Sequence, residues 1–258
     1  MVDWISDGKE REVAPRDDDL FKGAAEYYEL GRLPYAARLP EVLAEEIGLG
    51  PESVVADIGC GPGPLAIALA PYCGRVIGVD PDPDMLARGR RRDASVTWLR
   101  ARAEDLAFEA GELDAVVFGR SFHWTDRPLM AARLRAFVRP GGHLALVSEM
   151  HRPGRIPPQV KELIAEFLGE YRRPKLDDEE EVLAAAGWRG PRRLTVRTEG
   201  TLTRDPETRV AEVYSMSSST RHRFGARLPE FDRRLRELLS EPEVIPFPAT
   251  LARIWTNP

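Results

Sequence analysis

The sequence predicts an α/β fold with a mostly parallel central sheet. Short apolar runs of strand length alternate with helical segments from residue 53 to residue 150, an alternation that is typical of parallel sheets. The first apolar run enters an acidic, glycine-rich turn that opens a helix. The chain has 258 residues, of which 43% are hydrophobic, so it is long enough to bury the core of one α/β domain.

This single domain, residues 20–258, divides into three parts. Residues 20–52 are predicted to form a helical cap, with two helices around the segment 31–35. Residues 53–150 form a cofactor-binding core, and residues 151–258 supply a lid helix, closing strands and an insert on the substrate side. Residues 1–19 are acidic and polar, and we expect them to be a mobile tail.

The turn after the first strand is the most informative segment of the chain. Residues 54–64 read V-V-A-D-I-G-C-G-P-G-P. Asp57 closes the strand, and Pro64 suits the first position of the following helix. The glycines Gly59, Gly61 and Gly63 allow a tight turn and let a ligand approach without a Cβ in between. We therefore predict a nucleotide-cofactor turn with a helix N-terminus facing the ligand.

Two residues of this turn distinguish between cofactor classes. A dinucleotide fingerprint that begins at Gly59 needs a small residue at position 64, where this chain has Pro64. Asp57 would repel the pyrophosphate of NAD or FAD, but it suits the ammonium and sulfonium of S-adenosylmethionine. The motif D-I-G-C-G-P-G resembles the first motif of the class I S-adenosylmethionine-dependent methyltransferases. The resemblance implies a set of cofactor-binding residues: Asp57, Gly59, Cys60, Gly61 and Gly63.

The second strand, residues 75–80, ends in an acid at the spacing expected for a ribose-binding carboxylate. The two oxygens of Asp80 can accept hydrogen bonds from both ribose hydroxyls. A helix cap is the alternative role for an acid here, but it fits Asp82 better because Pro83 follows at a first helical position. We therefore assign Asp80 to the cofactor.

A third strand, residues 96–100, leads to the segment A-E-D-L at residues 103–106. This segment resembles the adenine-contacting turn of the same family, which implies that backbone groups of Ala103 and Glu104 contact the adenine. Many relatives have an aspartate where this chain has Arg102, and the side chain of that aspartate recognises the adenine amino group. Here we expect the Glu104 or Asp105 side chain to replace it. The alternative is that both acids are solvated loop charges.

The fourth strand, residues 113–119, is followed by R-S-F-H-W at residues 120–124. Strand ends on this side of an open α/β sheet line the ligand crevice. The F-H-W sequence resembles a branch of small-molecule methyltransferases, the type 11-like branch, with Arg120 and Ser121 as this chain's own variation. We place Ser121 among the cofactor-binding residues. His123 is the candidate general base, because a neutral imidazole can accept a proton near pH 7. The alternative role for His123 is a pocket wall beside Trp124.

The remaining elements follow the same alternation of strand and helix. We predict a helix over residues 127–138, a turn at Pro140-Gly141-Gly142 that resembles a late family turn, and a fifth strand over residues 143–149. A proline-rich break at residues 152–158 precedes a lid helix over residues 159–171, and a further helix covers residues 177–186. Residues 194–203 and 246–255 are predicted strands with two helical stretches between them. The family resemblance implies a seven-stranded Rossmann-like sheet whose last strand is antiparallel.

The substrate side is assigned from position and from a partial resemblance. Relatives with a Y-x-x-x-R-P-x-Y pattern use this region as a cap, and Tyr28, Arg32 and Tyr35 match it in part. Packing of these aromatic rings on the sheet, with Arg32 solvated, is the alternative. The full set of substrate-side residues is Tyr28, Arg32, Tyr35, Arg120, Trp124 and Tyr214. The arginines Arg32, Arg120 and Arg221 can bind a carboxylate or phosphate, which favours an anionic metabolite.

Composition excludes several other classes of function. The net charge is −5, so neither a general nucleic-acid surface nor an anionic-membrane surface is expected, and the basic run at residues 88–92 is assigned to a solvated helix face. Cys60 and Cys73 form neither a disulfide framework nor a metal-like spacing, which predicts a cytoplasmic protein without a metal site. No apolar run approaches the length of a membrane span.

The sequence therefore predicts an enzyme that transfers a methyl group from S-adenosylmethionine to a small organic molecule, with an acceptor atom that the sequence leaves open. Two alternatives stay open at this point. The first is a protein that binds S-adenosylmethionine for regulation or for another reaction, such as a cyclisation. The second is a dinucleotide-dependent oxidoreductase, which Pro64 and Asp57 disfavour.

Overall fold

A computed structural model describes residues 20–150, 156–169 and 178–258 of the chain. Its strands are β1 (Val54–Ile58), β2 (Arg75–Asp80), β3 (Thr97–Arg100), β4 (Leu113–Gly119), β5 (Val138–Glu149), β6 (Arg189–Val196), β7 (Thr201–Arg204), β8 (Glu243–Pro246) and β9 (Thr250–Thr256). Its α-helices are α1 (Ala25–Gly31), α2 (Leu39–Ile47), α3 (Pro64–Leu69), α4 (Pro83–Arg92), α5 (Arg127–Phe137), α6 (Pro158–Leu168), α7 (Glu179–Ala185), α8 (Pro206–Tyr214) and α9 (Leu228–Leu238).

Seven strands form the central sheet in the order β3-β2-β1-β4-β5-β9-β6. The first five strands are parallel to their neighbours, and β9 runs antiparallel to both β5 and β6. The predicted α/β fold with an antiparallel last strand is confirmed. The strand order reverses between β1 and β4, so the carboxyl ends of these two strands form the topological switch point, where ligands bind in open α/β sheets.

Helices cover both faces of the sheet. Helices α5 and α7 close one apolar core with Trp188 and Trp255, and α2 and α3 close the other. The buried strand residues are almost all aliphatic on both faces, as expected for parallel strands that never reach solvent. This packing fixes the strand ends at the switch point.

A second layer is built from α6, α8, α9 and a 3-10 segment at Arg221–Arg227. We call this layer the cap, and it is distinct from the helical cap predicted at residues 20–52. Its core is aromatic, and the rings of Phe224 and Phe231 stack with their centroids 3.8 Å apart. The two-stranded sheet β7-β8 borders it. Arg204 of β7 and Glu212 of α8 form an ion pair with both side chains 2% exposed, which fastens the β7-β8 sheet to the cap.

Helix α1 joins the cap to the core. Gly31 lies so close to α8 that a Cβ on it would come within 2.3 Å of the Ala211 carbonyl carbon. The Arg32 guanidinium donates a 2.6 Å hydrogen bond to the Ser215 carbonyl oxygen, so Arg32 is held by the cap and is not simply solvated. On its other side, Glu29 pairs with Arg88 and Arg92 of α4. Part of the basic run at residues 88–92 therefore fastens α1 to the core.

Three predicted elements differ from the structure. The predicted strand at residues 194–203 is divided between β6 and β7, which belong to different sheets, because the chain leaves the central sheet for the cap. The predicted strand at residues 246–255 is likewise divided between β8 and β9. Pro140-Gly141-Gly142 is an irregularity inside β5, where the register with β4 shifts, and not a turn before the strand.

Several predictions fall on residues outside the described ranges. They concern the mobile tail at residues 1–19, most of the proline-rich break and the C-terminal end of the lid helix. Helix α6 ends at Leu168, three residues before the predicted end. None of the helices in the described part of the chain has both the length and the apolar character needed to cross a bilayer.

Candidate active site

The glycine-rich turn lies at the switch point, as predicted. Gly59, Gly61 and Gly63 all have positive φ, at 68°, 58° and 76°. Only glycine adopts this left-handed region without strain, so three such residues allow the chain to reverse between β1 and α3 within a few residues. Pro64 is the first residue of α3, also as predicted.

The surroundings of the three glycines differ. A Cβ on Gly59 would lie 2.5 Å from the Ser121 Cβ, and a Cβ on Gly63 would lie 2.1 Å from the Trp98 ring. A Cβ on Gly61 would make only an ordinary contact with the Tyr28 ring, at 3.7 Å. Two of the glycines thus make room for protein side chains, and the expectation that all three admit a ligand stays a prediction.

Sequence reasoning missed the role of Trp98. Its ring fills the space that side chains on Gly63, Gly78 and Gly89 would need, and a Cβ on Gly89 would lie 2.4 Å from it. The Trp98 indole N–H donates a 3.0 Å hydrogen bond to the Asp93 carbonyl oxygen, which fixes the ring. Trp98 therefore packs the cofactor turn, β2 and α4 against one another.

Asp57 is completely buried beneath the turn. One of its carboxylate oxygens, Oδ2, accepts a 3.0 Å hydrogen bond from the Ala66 backbone N–H, and the other, Oδ1, has no hydrogen-bond partner within the described structure. The pKa of Asp57 is raised to about 7, mainly by burial and to a smaller extent by the nearby Asp80 charge, while the hydrogen bond from Ala66 opposes the increase. A buried carboxylate oxygen without a donor favours a cationic ligand group at this position.

Asp80 is 9% exposed at the end of β2. Its oxygens accept hydrogen bonds from the backbone N–H groups of Gly61 and Asp82, at 2.8 and 2.9 Å. Burial raises the pKa of Asp80 to about 6, and these two hydrogen bonds oppose the increase. The carboxylate thus connects β2 to the glycine turn. Asp82 caps α4 through the backbone N–H groups of Asp84 and Met85, as predicted.

Cys60 is buried in the turn, and its thiol donates to the Gly61 carbonyl oxygen at 3.4 Å. Burial raises the pKa of this thiol well above its ordinary value, so it stays protonated. It therefore packs the turn as a small neutral side chain. Within the described part of the chain both cysteines are free, and no cluster of side chains suits a metal ion.

The segment after β3 forms a 3-10 turn at Ala103–Asp105. The Glu104 carboxylate accepts a 2.8 Å hydrogen bond from the Asp126 backbone N–H, and the Glu104 carbonyl oxygen accepts from Arg133. The Glu104 Oε1 and its carbonyl oxygen therefore connect this turn to the start of α5 and to Arg133 on it. Asp105 is exposed.

The segment after β4 closes the other side of the crevice. The Ser121 hydroxyl donates to the Ile58 carbonyl oxygen and so fastens the end of β4 to the end of β1. His123 and Trp124 lie in a 3-10 turn, with their ring centroids 4.6 Å apart, and Phe21 packs edge-on against Trp124 at 5.7 Å. His123 and Trp124 are both partly exposed, and Phe122 is buried in the core.

Arg120 has a more specific environment than its sequence position indicated. Its φ of 63° is the only positive value at a residue other than glycine in the described chain. Its guanidinium pairs with Glu149 at 2.8 Å, with both side chains about one-tenth exposed, and lies 4.8 Å from the Tyr35 ring centroid. Glu149, which sequence reasoning missed, therefore compensates the charge of Arg120. Burial raises the pKa of the Tyr35 phenol, which stays neutral.

The other predicted substrate-side residues divide between crevice and cap. Tyr28 lies over Gly61, with the Arg32 guanidinium 5.0 Å from its ring centroid. Tyr35 packs against Gly119, where a Cβ would lie 2.6 Å from the Tyr35 hydroxyl oxygen. Tyr214 is 1% exposed in the cap core, and its hydroxyl donates to Asp232 at 2.8 Å. Tyr214 is therefore a packing residue behind the substrate side.

Comparison with known proteins agrees with this arrangement. Residues 55–142 match the family model described as a methyltransferase domain. An uncharacterized methyltransferase of Synechocystis is 32% identical over 119 residues, which are 45% of this chain and 56% of that protein. A 2-phytyl-1,4-naphtoquinone methyltransferase of Trichormus variabilis is 30% identical over 123 residues, 44% of this chain and 53% of that protein. The chain thus spans about half the length of the curated relatives it matches.

Solved structures resemble the fold over most of the chain. A geranyl diphosphate methyltransferase in complex with S-adenosylmethionine has a TM-score of 0.51 at 19% identity, over 86% of this chain and 85% of that one. The [4+2]-cyclase SpnF has a TM-score of 0.54 at 16% identity, over 86% of this chain and 81% of that one. The family match identifies residues 55–142 as a methyltransferase domain, and the fold around these residues resembles that of the solved structures.

Proposed function

We propose that this protein transfers a methyl group from S-adenosylmethionine to a small organic molecule. The observation that carries the proposal is the pair of buried carboxylates, Asp57 and Asp80, at the switch point of the sheet beside the glycine turn. The unpartnered Asp57 Oδ1 suits a cationic amino group, and Asp80 is bound to the turn through the Gly61 backbone N–H. The residues present therefore fit this cofactor.

When bound, S-adenosylmethionine supplies an electrophilic methyl group on a sulfonium. Asp80 is proposed to accept hydrogen bonds from the ribose hydroxyls with the lone pairs that Gly61 and Asp82 leave available. The backbone groups of Ala103 and Glu104 are proposed to contact the adenine, since this turn is held in place by the contacts of Glu104 with Asp126 and Arg133. Ser121 contributes by holding the two strand ends together.

The reaction is proposed to be an in-line displacement, for which the protein aligns the acceptor and excludes water. Tyr28, Tyr35 and Trp124 supply aromatic walls around the crevice. His123 is the candidate base, supported by its position after β4 and its partial exposure. Its contact with Trp124 equally suits a pocket wall. If His123 is a base, His123→Gln should lower kcat at least tenfold, about 1.4 kcal/mol of transition-state stabilisation. The affinity for S-adenosylmethionine should change less than twofold.

The acceptor is proposed to be a small, anionic metabolite. Two methyltransferases of similar fold are described in complexes with phosphorylated small molecules, geranyl diphosphate and phosphomonomethylethanolamine. The net charge of −5 does not favour a nucleic-acid or membrane partner. The cytoplasmic location predicted from the cysteines belongs to the same proposal.

Binding without methyl transfer is the second candidate function. Its specific support is the structural likeness to a protein described as a [4+2]-cyclase. The two functions differ in their product, because only methyl transfer converts S-adenosylmethionine into S-adenosylhomocysteine in proportion to methylated acceptor.

Calorimetry with S-adenosylmethionine, S-adenosylhomocysteine and NADH tests the cofactor. The wild-type protein is expected to bind S-adenosylmethionine and S-adenosylhomocysteine saturably. Asp80→Ala is expected to weaken that binding by about tenfold or more, because it removes charge-assisted hydrogen bonds. Asp84→Ala is the matched control, because Asp84 is an exposed acid at the start of the neighbouring α4. Binding of NADH alone, or equal binding by wild type and Asp80→Ala, would contradict the proposal.

A further inference from the structure

The three arginines on the substrate side are not equivalent. Arg120 is neutralised by Glu149, and Arg32 donates to the cap backbone at Ser215. Arg221, at the start of the 3-10 segment Arg221–Arg227, forms no ion pair with any acid in the described part of the chain. Arg221 is therefore the arginine with charge available for an incoming anion.

Arg221 is held in place by tyrosines. Its Nη1 donates to the Tyr27 hydroxyl, and the guanidinium carbon lies 5.6 Å from the Tyr27 ring centroid and 5.4 Å from the Tyr214 ring centroid. The Tyr214 hydroxyl and Arg236 both bind Asp232, so this neighbouring carboxylate is already engaged. Cation–π contacts of this kind orient a guanidinium without cancelling its charge.

Arg221 also has donor capacity that the protein does not use. A guanidinium carries five N–H donors, and one of those of Arg221 is used by Tyr27. The Arg221 Nε is buried without a hydrogen-bond partner among the described residues, as are the Nε atoms of Arg32 and Arg120, so the Nε does not distinguish the three arginines. The remaining Nη donors of the partly exposed Arg221 are the ones available to a ligand.

An open cavity of about 350 Å³ borders this arginine. It is lined by Gly23, Glu26, Tyr27, Arg221, His222, Gly225 and Leu228. Tyr27 lies on α1, and the next residue, Tyr28, covers Gly61 of the cofactor turn. The cavity thus adjoins the helix that separates the cap from the cofactor crevice.

We propose that this cavity binds the carboxylate or phosphate group of the methyl acceptor, with Arg221 as the specificity-determining residue. The inference rests on the proposed methyl transfer for the identity of the ligand, but the anion site itself can be tested without the cofactor. Arg221 supplies bidentate donors, and the Tyr27 ring supplies an apolar wall for the rest of the ligand. Glu26 lines the same cavity and is exposed, so its charge weakens anion binding.

Saturation-transfer NMR with benzoate and phenyl phosphate tests the site on the full-length protein. Both probes are expected to bind saturably, and the uncharged analogue benzamide to bind at least tenfold more weakly. Arg221→Gln is expected to weaken both anions by about 10- to 100-fold, the range for hydrogen bonds to a charged group. The control variant Arg223→Gln removes an exposed arginine two residues away and is expected to leave binding within twofold of wild type.

Two further variants keep the test decisive if Arg221→Gln does not fold. Arg221→Lys keeps the charge but loses the planar fork, so intermediate affinity is expected. Glu26→Gln removes the opposing charge and is expected to strengthen both anions by about twofold or more, with the effect reduced at high salt. Circular dichroism melting of each variant establishes that it is folded.

Equal anion affinity in folded Arg221→Gln, or benzamide binding as tightly as benzoate, would overturn the site. Competitive displacement, in which the apparent Kd of the probes rises without limit as S-adenosylhomocysteine is added, would also overturn it, because the probes would then occupy the cofactor crevice. Retention of the probes beside bound S-adenosylhomocysteine supports the proposal. If the protein binds benzoate through Arg221 but no S-adenosylmethionine, the anion site stands and the proposed methyl transfer fails.

Discussion

Alanine substitutions at Gly61 and Gly63 separate the binding role of the cofactor turn from its packing role. Both residues have positive φ, at 58° and 76°, so alanine costs each backbone a similar amount, about 1–2 kcal/mol. The surroundings of the added methyl group differ. At position 61 it would meet the Tyr28 ring at 3.7 Å, an ordinary contact, and at position 63 it would lie 2.1 Å from the Trp98 ring.

The structure therefore predicts unequal losses of stability. Gly61→Ala should reduce the free energy of unfolding by about 1–2 kcal/mol, which is backbone strain alone. Gly63→Ala adds overpacking, which costs about 1–3 kcal/mol more because the Trp98 ring is wedged between two further glycines and cannot move away. Urea unfolding monitored by circular dichroism measures both values, provided that the slope of the transition is unchanged.

Cofactor affinity should follow the opposite order. Gly61→Ala strains the backbone whose N–H orients the Asp80 carboxylate. Calorimetry at a temperature where both variants are folded should therefore show at least a tenfold loss of S-adenosylhomocysteine affinity, about 1.4 kcal/mol or more. Folded Gly63→Ala should lose less. The double variant Gly63→Ala/Trp98→Leu should recover part of the lost stability. Equal stability losses for the two glycine variants, or no recovery in the double variant, would refute the reasoning.

Three further predictions concern charged groups. Since burial raises the pKa of Asp57 to about 7 and of Asp80 to about 6, the unliganded protein should lose stability as pH rises from about 4 to 8, because the folded state holds these protons more tightly than the unfolded chain. S-adenosylmethionine affinity should rise over the upper half of this range, and Asp57→Asn should flatten both profiles, measured by melting and calorimetry at each pH. Glu149→Gln should lower the free energy of unfolding by about 3 kcal/mol in urea titrations, because it leaves the Arg120 charge buried and uncompensated. The control Glu41→Gln removes an exposed pair with Arg38 and should lower it by less than about 1 kcal/mol. Glu29→Gln should change stability little but speed the release of S-adenosylhomocysteine several-fold in stopped-flow experiments, because it frees α1 from Arg88 and Arg92; an unchanged release rate would show that α1 does not gate the crevice.

The elements that could be predicted from sequence are those with local causes. Asp82 followed by Pro83 defines the start of α4 by itself, because its N-capping hydrogen bonds involve only residues of the same helix. The positive φ values of the turn follow from its glycines, and the strands β1, β2 and β4 follow from apolar runs of the right length. These local signals were sufficient to place Asp57 and Asp80 at one edge of the sheet.

The elements that could not be predicted depend on contacts between distant segments. Trp98 explains three glycines on three different elements, and nothing in its own strand indicates which of them it meets. Glu149 compensates Arg120 only because β4 and β5 are neighbours in register. The division of residues 194–203 between two sheets likewise reflects the cap, whose aromatic core draws β7 away from the central sheet.

Helix α1 connects these separate contacts into one unit. Tyr28 lies over the cofactor turn, Glu29 pairs with α4, and Gly31 packs directly on the backbone of α8. The neighbouring Tyr27 binds Arg221 at the cavity of the cap. A ligand in the cavity and a ligand in the crevice therefore act on the same helix, and any movement of α1 that one of them favours must be felt by the other. Because such coupling is reciprocal, benzoate must change S-adenosylhomocysteine affinity by the same factor by which S-adenosylhomocysteine changes benzoate affinity. Glu29→Gln should bring both coupling factors closer to one.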